Sequence, residues 1–297
     1  VTVEVLNPRN LDHLSFSQHG SYWRCPGAYE LERVARVPAI PAWWFIGGAV
    51  VHEATEAFDR LLLVGPVVNF NPETETRTRL DDRVKEELIR KNLNGFEGWL
   101  AAGRWPNKSG YTWWWDNGPE MVKRYMRWRE ETNWEVAWFN DVPGIECELR
   151  HSYNFGDFTG APDRVFRLPS GELVVADVKS GSTLPKDALQ LGTYANMLEE
   201  KGFQRPKYGT YVMVKNDPKK GQELHTPLVP LDKYTTPYLE RTYGATWAAI
   251  TAGIFPRIVS DACRTCVVQK GCFAAGGEDS ARYDRYDPDY EGNKIEA

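Results

Sequence analysis

The stretch TGAPDRVFRLPSGELVVADVKSG, residues 159–181, constrains the chain more than any other. Phe158 to Phe166 and Glu172 to Lys179 are rich in β-formers, and Leu168-Pro169-Ser170-Gly171 between them is turn chemistry, so the segment predicts a strand hairpin. Side chains alternate faces along a strand, which puts Asp177 and Lys179 on one face and Val178 on the other. Two carboxylates, Asp163 and Asp177, and an ammonium on a half-buried hairpin are costly unless they pair or hold a metal. The hairpin reads as a site as well as a fold element.

The flanking sequence supplies the layers around it. Residues 47–62, GGAVVHEATEAFDRLL, predict a helix entered through two glycines, with Val50, Ala54, Ala57, Phe58 and Leu61 on its apolar side. Residues 66–80 read as loop. Helices over about Asp82–Ala102 and Pro119–Thr132, separated by the aromatic loop GYTWWWDNGPE, make a helical insert of about 80–140. IECELRHSY reads as a strand before the hairpin, and KDALQLGTYANMLEEKG as a helix after it. KYGTYVMVKN and QELHTPLVPL are further strands, and a helix runs from Asp232 to Ala252. A short helix is expected around Cys25-Pro26. This order predicts an α/β layer arrangement with a mixed sheet, in a single domain over 1–297.

Charge excludes little. The formal net charge is −5, but Glu278 to Glu296 hold seven acids against three bases, so the tail carries −4 of it. The near-neutral body can still display a basic groove. The tail itself, 277–297, is expected to be flexible. No apolar run reaches the length of a membrane helix and Val1 to Arg24 lacks a signal-peptide pattern, so a cytoplasmic location is the expectation.

Hard cations such as Mg2+ take carboxylate oxygens, and a lysine beside them can polarise a phosphate or position water. The competing reading of Asp163, Asp177 and Lys179 is a surface salt bridge on a hairpin, the usual fate of an isolated D-x-K. Gln190 and Tyr194, four apart in QLGTY, share a helix face that would follow the Lys179 strand. By themselves they are ordinary helix surface. His52 follows Gly47-Gly48 on a helix, where a lone histidine more often caps or packs. Glu146 and Glu148 alternate in the preceding strand and so would share a face.

Five cysteines without a secretion signal speak against a disulfide scaffold. Three occur as CRTCVVQKGC, a C-x2-C-x5-C spacing that suits a metal or cluster. Four thiolates close a tetrahedral zinc site or an iron–sulfur cluster. Cys25, followed by Pro26, is the natural fourth to Cys263, Cys266 and Cys272, while Cys147 is expected in the core. Of the twelve tryptophans, including Trp43-Trp44 and Trp113-Trp114-Trp115, most should be buried; exposed rings would stack unpaired bases.

The order G-x3-H, PD, D-x-K, Q-x3-Y, with an early Cys-Pro and a terminal C-x2-C-x5-C, resembles the RecB-like branch of the PD-(D/E)xK nucleases, specifically its iron–sulfur members. These include the AddB nuclease domain and CRISPR-associated and phage RecB-like exonucleases. The resemblance spans roughly Ser15 to Cys272. It implies a restriction-endonuclease-like core, a central mixed sheet flanked by helices, and an iron–sulfur clasp joining the N- and C-terminal regions.

The resemblance also implies roles. His52, Asp163 and Asp177 would bind Mg2+ or Mn2+, with Glu148 the acid from the preceding strand and Glu146 the second choice. Lys179 would face the scissile phosphate, with Gln190 and Tyr194 as further catalytic-motif residues. Cys25, Cys263, Cys266 and Cys272 would hold a [4Fe–4S] cluster, with zinc the alternative occupant. The expected activity is a metal-dependent deoxyribonuclease, an exonuclease with endonuclease action open. It would leave 5′-phosphate ends in recombination, repair or phage DNA processing. Its partners would be DNA, as single strands or ends, and recombination or replication proteins. No G-x4-GK[ST] motif fuses a motor to it. The alternative is a non-catalytic nucleic-acid-binding or partner module that keeps the fold; the intact Asp163, Asp177 and Lys179 favour the enzyme.

Overall fold

A computed structural model describes residues 11–39, 42–90 and 110–294. The chain folds into two compact units interleaved in sequence. One comprises residues 1–41, 152–159 and 236–297; the other comprises residues 42–151 and 160–235.

The larger unit, 42–151 with 160–235, is built on a mixed five-stranded sheet. Its strands are β2 (Glu135–Val136), β7 (Arg164–Arg167), β8 (Leu173–Lys179), β9 (Tyr208–Met213) and β10 (Val229–Pro230), ordered β10-β9-β8-β7-β2. The short hairpin β3 (Trp138–Phe139) and β4 (Val142–Pro143) stands beside this sheet in sequence. β7 and β8 pair antiparallel around the expected turn, where Gly171 takes a φ of +92°. β8 and β9 run parallel, with Lys179 opposite Met213. Parallel neighbours require a crossover, and helix α6 (Leu189–Glu200) provides it. The expected strand 222–231 is reduced to β10, although Leu224 and Thr226 still exchange backbone bonds with β9.

Helices α3 (Trp43–Val64), α4 (Pro72–Arg90) and α5 (Tyr111–Thr132) pack on one another and share one core with the sheet. Val50, Ala54, Phe58, Leu80, Met121 and Tyr125 meet Phe166, Ala176, Val178 and Val212 there. Two expectations fail here. The stretch 66–80 is not all loop, because Asn71 caps α4 through its side chain, accepting from Glu73 and Thr74 N–H, with Pro72 opening the helix. GYTWWWDNGPE is not a separating loop but the first turns of α5, with Pro119 inside the helix. A proline there frees the carbonyl of Trp115, and Arg77 of α4 donates to that oxygen at 3.4 Å. Residues 91–102 of the expected helix lie outside the described residues.

The smaller unit holds both ends of the chain. Helices α1 (Phe16–Arg24) and α2 (Pro26–Arg33) meet at Cys25, which caps α2 with its sulfur accepting from Ala28 N–H. α1 docks on α7 (Thr236–Thr251): His19 and the Trp23 indole N–H both reach the buried Thr246 hydroxyl at 2.8 Å. β1 (Leu14–Ser15) pairs in parallel with β6 (Gly156–Gly160), which is reached from β5 (Leu149–Tyr153).

Within the acidic tail expected to be flexible, Ser280, Asp284 and Asp287 are buried. Asp284, fully buried, forms a two-point ion pair with Arg257, and Arg257 in turn bonds Glu30 of α2 at 2.7 Å. Burial alone would raise the Asp284 pKa, but hydrogen bonds from Arg257 and from the Phe273 and Tyr286 N–H groups hold it low. Helix α8 (Ser280–Tyr283) and a 3-10 turn at Glu291–Lys294 follow. Residues 295–297 lie outside the described residues.

Candidate active site

One face of α3 carries His52, Thr55 and Asp59 at i, i+3 and i+7, a polar stripe beside the buried apolar residues Val51, Ala54 and Phe58. His52 lies where this stripe meets the sheet. Its Nε2 bonds the Glu146 carboxylate, and its Nδ1 stands 3.4 Å from Asp163 Oδ2. One ligand atom from each of His52, Glu146 and Asp163 lies within 4.8 Å of the others, the spacing of a set that can hold one cation.

The expected strand 158–166 is in fact two, β6 and β7, with Ala161-Pro162-Asp163 as a connector. Pro162 has no N–H for a ladder, so strand pairing resumes only at Arg164. That break places Asp163 at the mouth of β7. Its Oδ2 accepts the Val178 N–H at 2.7 Å, which ties it to β8.

Asp177 and Lys179 emerge on one face of β8, as alternation predicts. Lys179 Nζ lies 2.7 Å from Asp177 Oδ2, an ion pair, yet off the line of a hydrogen bond, so that buried oxygen has no directional donor. A buried carboxylate beside these three ligand residues fits a cation-binding site. Burial first, and then the Asp163 charge, push the Asp177 pKa up to about 7. Burial also raises that of Asp163, against the opposing pull of His52. Burial would lower the His52 value, but the Glu146 bond and the Asp163 charge outweigh it and raise it.

The strand acid at this cluster is Glu146. Glu148, the first choice from sequence, is exposed on the solvent side. The two do not share a face because β5 begins only at Leu149 and Glu146 has a φ of +47°, which breaks the alternation. Tyr194 is buried, its pKa raised by that burial and further by the Asp163 and Asp177 charges, with the Gln190 bond opposing the rise. Gln190 donates weakly to the Tyr194 hydroxyl at 3.4 Å and is half-buried.

Behind the cluster lies a group that sequence reasoning missed. Arg164 is fully buried; its Nε bonds Asp59 Oδ2 at 2.6 Å, and its Nη1 donates to the Asp163 carbonyl at 2.6 Å. Nη1 also stands 3.9 Å from Glu146. Arg129 and the Tyr125 hydroxyl complete the shell of Asp59. The polar stripe of α3 was the available signal.

In the smaller unit, Cys25, Cys263, Cys266 and Cys272 line one cleft with Ala28, Leu31, Ile258, Val259 and Arg257. Burial raises the thiol pKa of Cys266 and Cys272, and the neighbouring cysteines add to the rise at Cys266. Four soft donors thus line one cleft, with the Arg257 guanidinium beside them. The sulfurs share the cleft without closing to the tight mutual spacing of the His52 group: among the described residues no three of them lie within 4.8 Å of one another. Cys147 is buried in the other unit, its thiol pushed up to about 11 by that burial. No helix among the described residues is long and apolar enough to cross a membrane.

Comparison with known proteins agrees with this geometry. The profile of the PD-(D/E)XK nuclease superfamily matches residues 13–273. The Gene 69 protein of Mycobacterium phage L5 is 28% identical over 289 residues, covering 87% of this chain and 95% of the phage protein. The Gene 69 protein of Mycobacterium phage D29 is 29% identical over 263 residues, with the same coverage of 87% and 95%. The matched span takes in the His52, Glu146, Asp163, Asp177 and Lys179 cluster. The chain belongs to the PD-(D/E)XK nuclease superfamily.

Proposed function

We propose that the chain is a metal-dependent DNA exonuclease that hydrolyses phosphodiester bonds at DNA ends, leaving 5′-phosphates. The observation that carries this reading is the convergence of His52, Glu146 and Asp163 beside the Asp177–Lys179 pair. These three and Asp177 would hold Mg2+ or Mn2+, the imidazole suiting Mn2+ better. Bound there, a divalent ion would neutralise phosphate charge and lower the pKa of the attacking water. Lys179, about a third exposed, keeps its ammonium at the open side of the cluster, where it meets the scissile phosphate and orients the water. Tyr194 and Gln190 shape the wall beside it. The phage origin of both relatives favours phage DNA processing over host recombination or repair.

The four-cysteine cleft belongs to the same proposal as a structural [4Fe–4S] site that ties the N- and C-terminal segments of the smaller unit. Zinc is the alternative occupant of the same four thiolates, and metal analysis separates the two.

The test is digestion of 5′- and 3′-labelled single-stranded and duplex DNA with Mg2+, Mn2+ or EDTA, alongside iron, sulfide and zinc analysis of anaerobically purified protein. Metal-dependent release of nucleotides from ends, lost in Asp177→Ala, is expected. Cleavage equal in Asp177→Ala and the parent, or none in the parent, would overturn the enzymatic reading.

A further inference from the structure

The tryptophan pairs singled out in the sequence separate into buried and exposed rings. Trp43 and Trp114 are core, each 5% exposed, whereas Trp44 is 38% and Phe45 is 59% exposed. Trp44 and Phe45 lie against each other, ring centroids 5.8 Å apart, on the first turn of α3. An exposed aromatic pair on a helix that carries a metal-ligand candidate is unusual. Its position explains why.

Phe45, Gly48, Ala49 and His52 stand at i, i+3, i+4 and i+7, one face of α3. Phe45 is therefore about 10 Å from His52 along the helix axis. Between them Gly48 and Ala49 present no side chain beyond a methyl, and both line the open cleft shared by His52, Lys179 and Ser180. A Cβ on Gly48 would stand 3.2 Å from the Ser180 hydroxyl, so the helix passes close to the end of β8 there.

The rest of the rim closes through successive contacts. Val214 donates its N–H to the Lys179 carbonyl at 3.1 Å, which brings the residue after it, Lys215, to the same end of the sheet. The Lys215 ammonium lies 5.0 Å from the centroid of the half-buried Trp113 ring. Trp113 packs edge-on against Trp114, and Trp114 fills the space that a side chain at Gly47 would need. Lys179 lines the cleft itself; Phe45 with Trp44 stands one to two turns along α3 from it, and Lys215 with Trp113 is reached from it through Val214.

We infer that this rim is a binding track for an unpaired DNA strand, with Phe45 and Trp44 stacking bases and Lys215 holding a phosphate as the strand reaches the metal site. Exposed rings interleaved with cations are the chemistry of sequence-tolerant single-strand binding, and each stacked base contributes about 1–3 kcal/mol. A continuous duplex keeps its bases stacked inside and offers the rings nothing. The track rests on the nuclease reading and narrows its substrate to strands with free or frayed ends.

The experiment uses Phe45→Ala, Trp44→Ala with Phe45→Ala, and Lys215→Gln in the full chain. Binding is read by anisotropy of fluorescein-labelled oligo(dT) and of a blunt hairpin duplex in Ca2+, with Mn2+ affinity measured in parallel. Cleavage of the oligo(dT) is then followed in Mn2+. Single-strand affinity should fall on the order of tenfold in each aromatic variant. Duplex affinity and Mn2+ affinity should be unchanged, and an oligomer with abasic sites should bind parent and aromatic variants alike. Lys215→Gln should lose affinity and flatten its salt dependence. If the parent cleaves and the aromatic variants bind oligo(dT) as it does, or lose duplex and single strand equally, the track is wrong while the nuclease stands. A parent that neither binds nor cleaves DNA fails the nuclease reading itself.

Discussion

Arg164 and Asp59 are both wholly shielded from solvent and meet Nε to Oδ2 at 2.6 Å, directly behind the candidate metal site. A buried ion pair of this kind adds little relative to apolar residues of equal volume, but removing one partner strands the other charge. Here Asp59 also satisfies Arg129 and Tyr125. Asp59→Ala should therefore cost about 3–5 kcal/mol of unfolding free energy, read from urea denaturation. A loss below about 1 kcal/mol would mean that the guanidinium groups find other partners or water.

The αL turn at Glu146 separates two glutamates that the sequence puts on equal footing. Glu146→Gln should weaken Mn2+ binding and slow cleavage by about a hundred-fold, because it removes a candidate ligand and the carboxylate bonded to His52. Glu148→Gln, at an exposed position, should stay within a factor of two of the parent. Isothermal titration with Mn2+ and initial cleavage rates decide between them. Equal losses in the two variants would return both to the site.

What the sequence disclosed and what it hid divide along physical lines. Alternation put Asp177 and Lys179 together, because β8 is regular over its whole length. The helix after the hairpin and the strand after that helix were legible too, within an expected mixed sheet, whereas the parallel pairing of β8 with β9 came from the structure. Glu146 was not legible, since a single positive φ at a non-glycine residue leaves no mark in a β-rich pattern. The α5 start was hidden because Pro119 reads as a helix opening, and only a tertiary donor, Arg77, compensates for it inside the helix. The tail was expected to be flexible because acids outnumber bases in it; Asp284 finds Arg257 27 residues away. Long-range ion pairs of this kind have no sequence period.

The acid cluster gives the metal-free protein a defined pH response. The Asp177 pKa is raised from 3.8 to about 7, chiefly by burial and then by Asp163, so the folded chain holds this proton more tightly than the unfolded chain. Its stabilising contribution is full below the unfolded value and is lost as pH rises toward 7. His52, also raised, acts in the same direction. A cation replaces the proton, so the rise in Tm on adding Mn2+ should grow from about pH 5.5 to about pH 8. In EDTA, Asp177→Asn should flatten the fall of Tm over the same range. A Mn2+ effect that shrinks with pH would contradict the assignment of Asp177 to the site.

Lys179 offers a cleaner separation of chemistry from folding than any acid in the cluster. Its side chain is partly exposed and its one ionic partner is Asp177, among the contacts described for it. Lys179→Ala should therefore keep the parent Tm within a few degrees in metal-free buffer, where loss of the ammonium leaves Asp177 to retain its proton. The cost is expected in turnover, about a hundred-fold to a thousand-fold, the range for removing one donor that faces charge developing on the phosphate. Lys179→Arg, which keeps a cation but moves and widens it, should recover part of that loss. Rates at saturating DNA and Mn2+, with anisotropy for DNA affinity, separate a turnover defect from a binding defect. A variant that turns over normally but binds DNA weakly would make Lys179 part of the strand track, and the general role of orienting water would have to fall to another group.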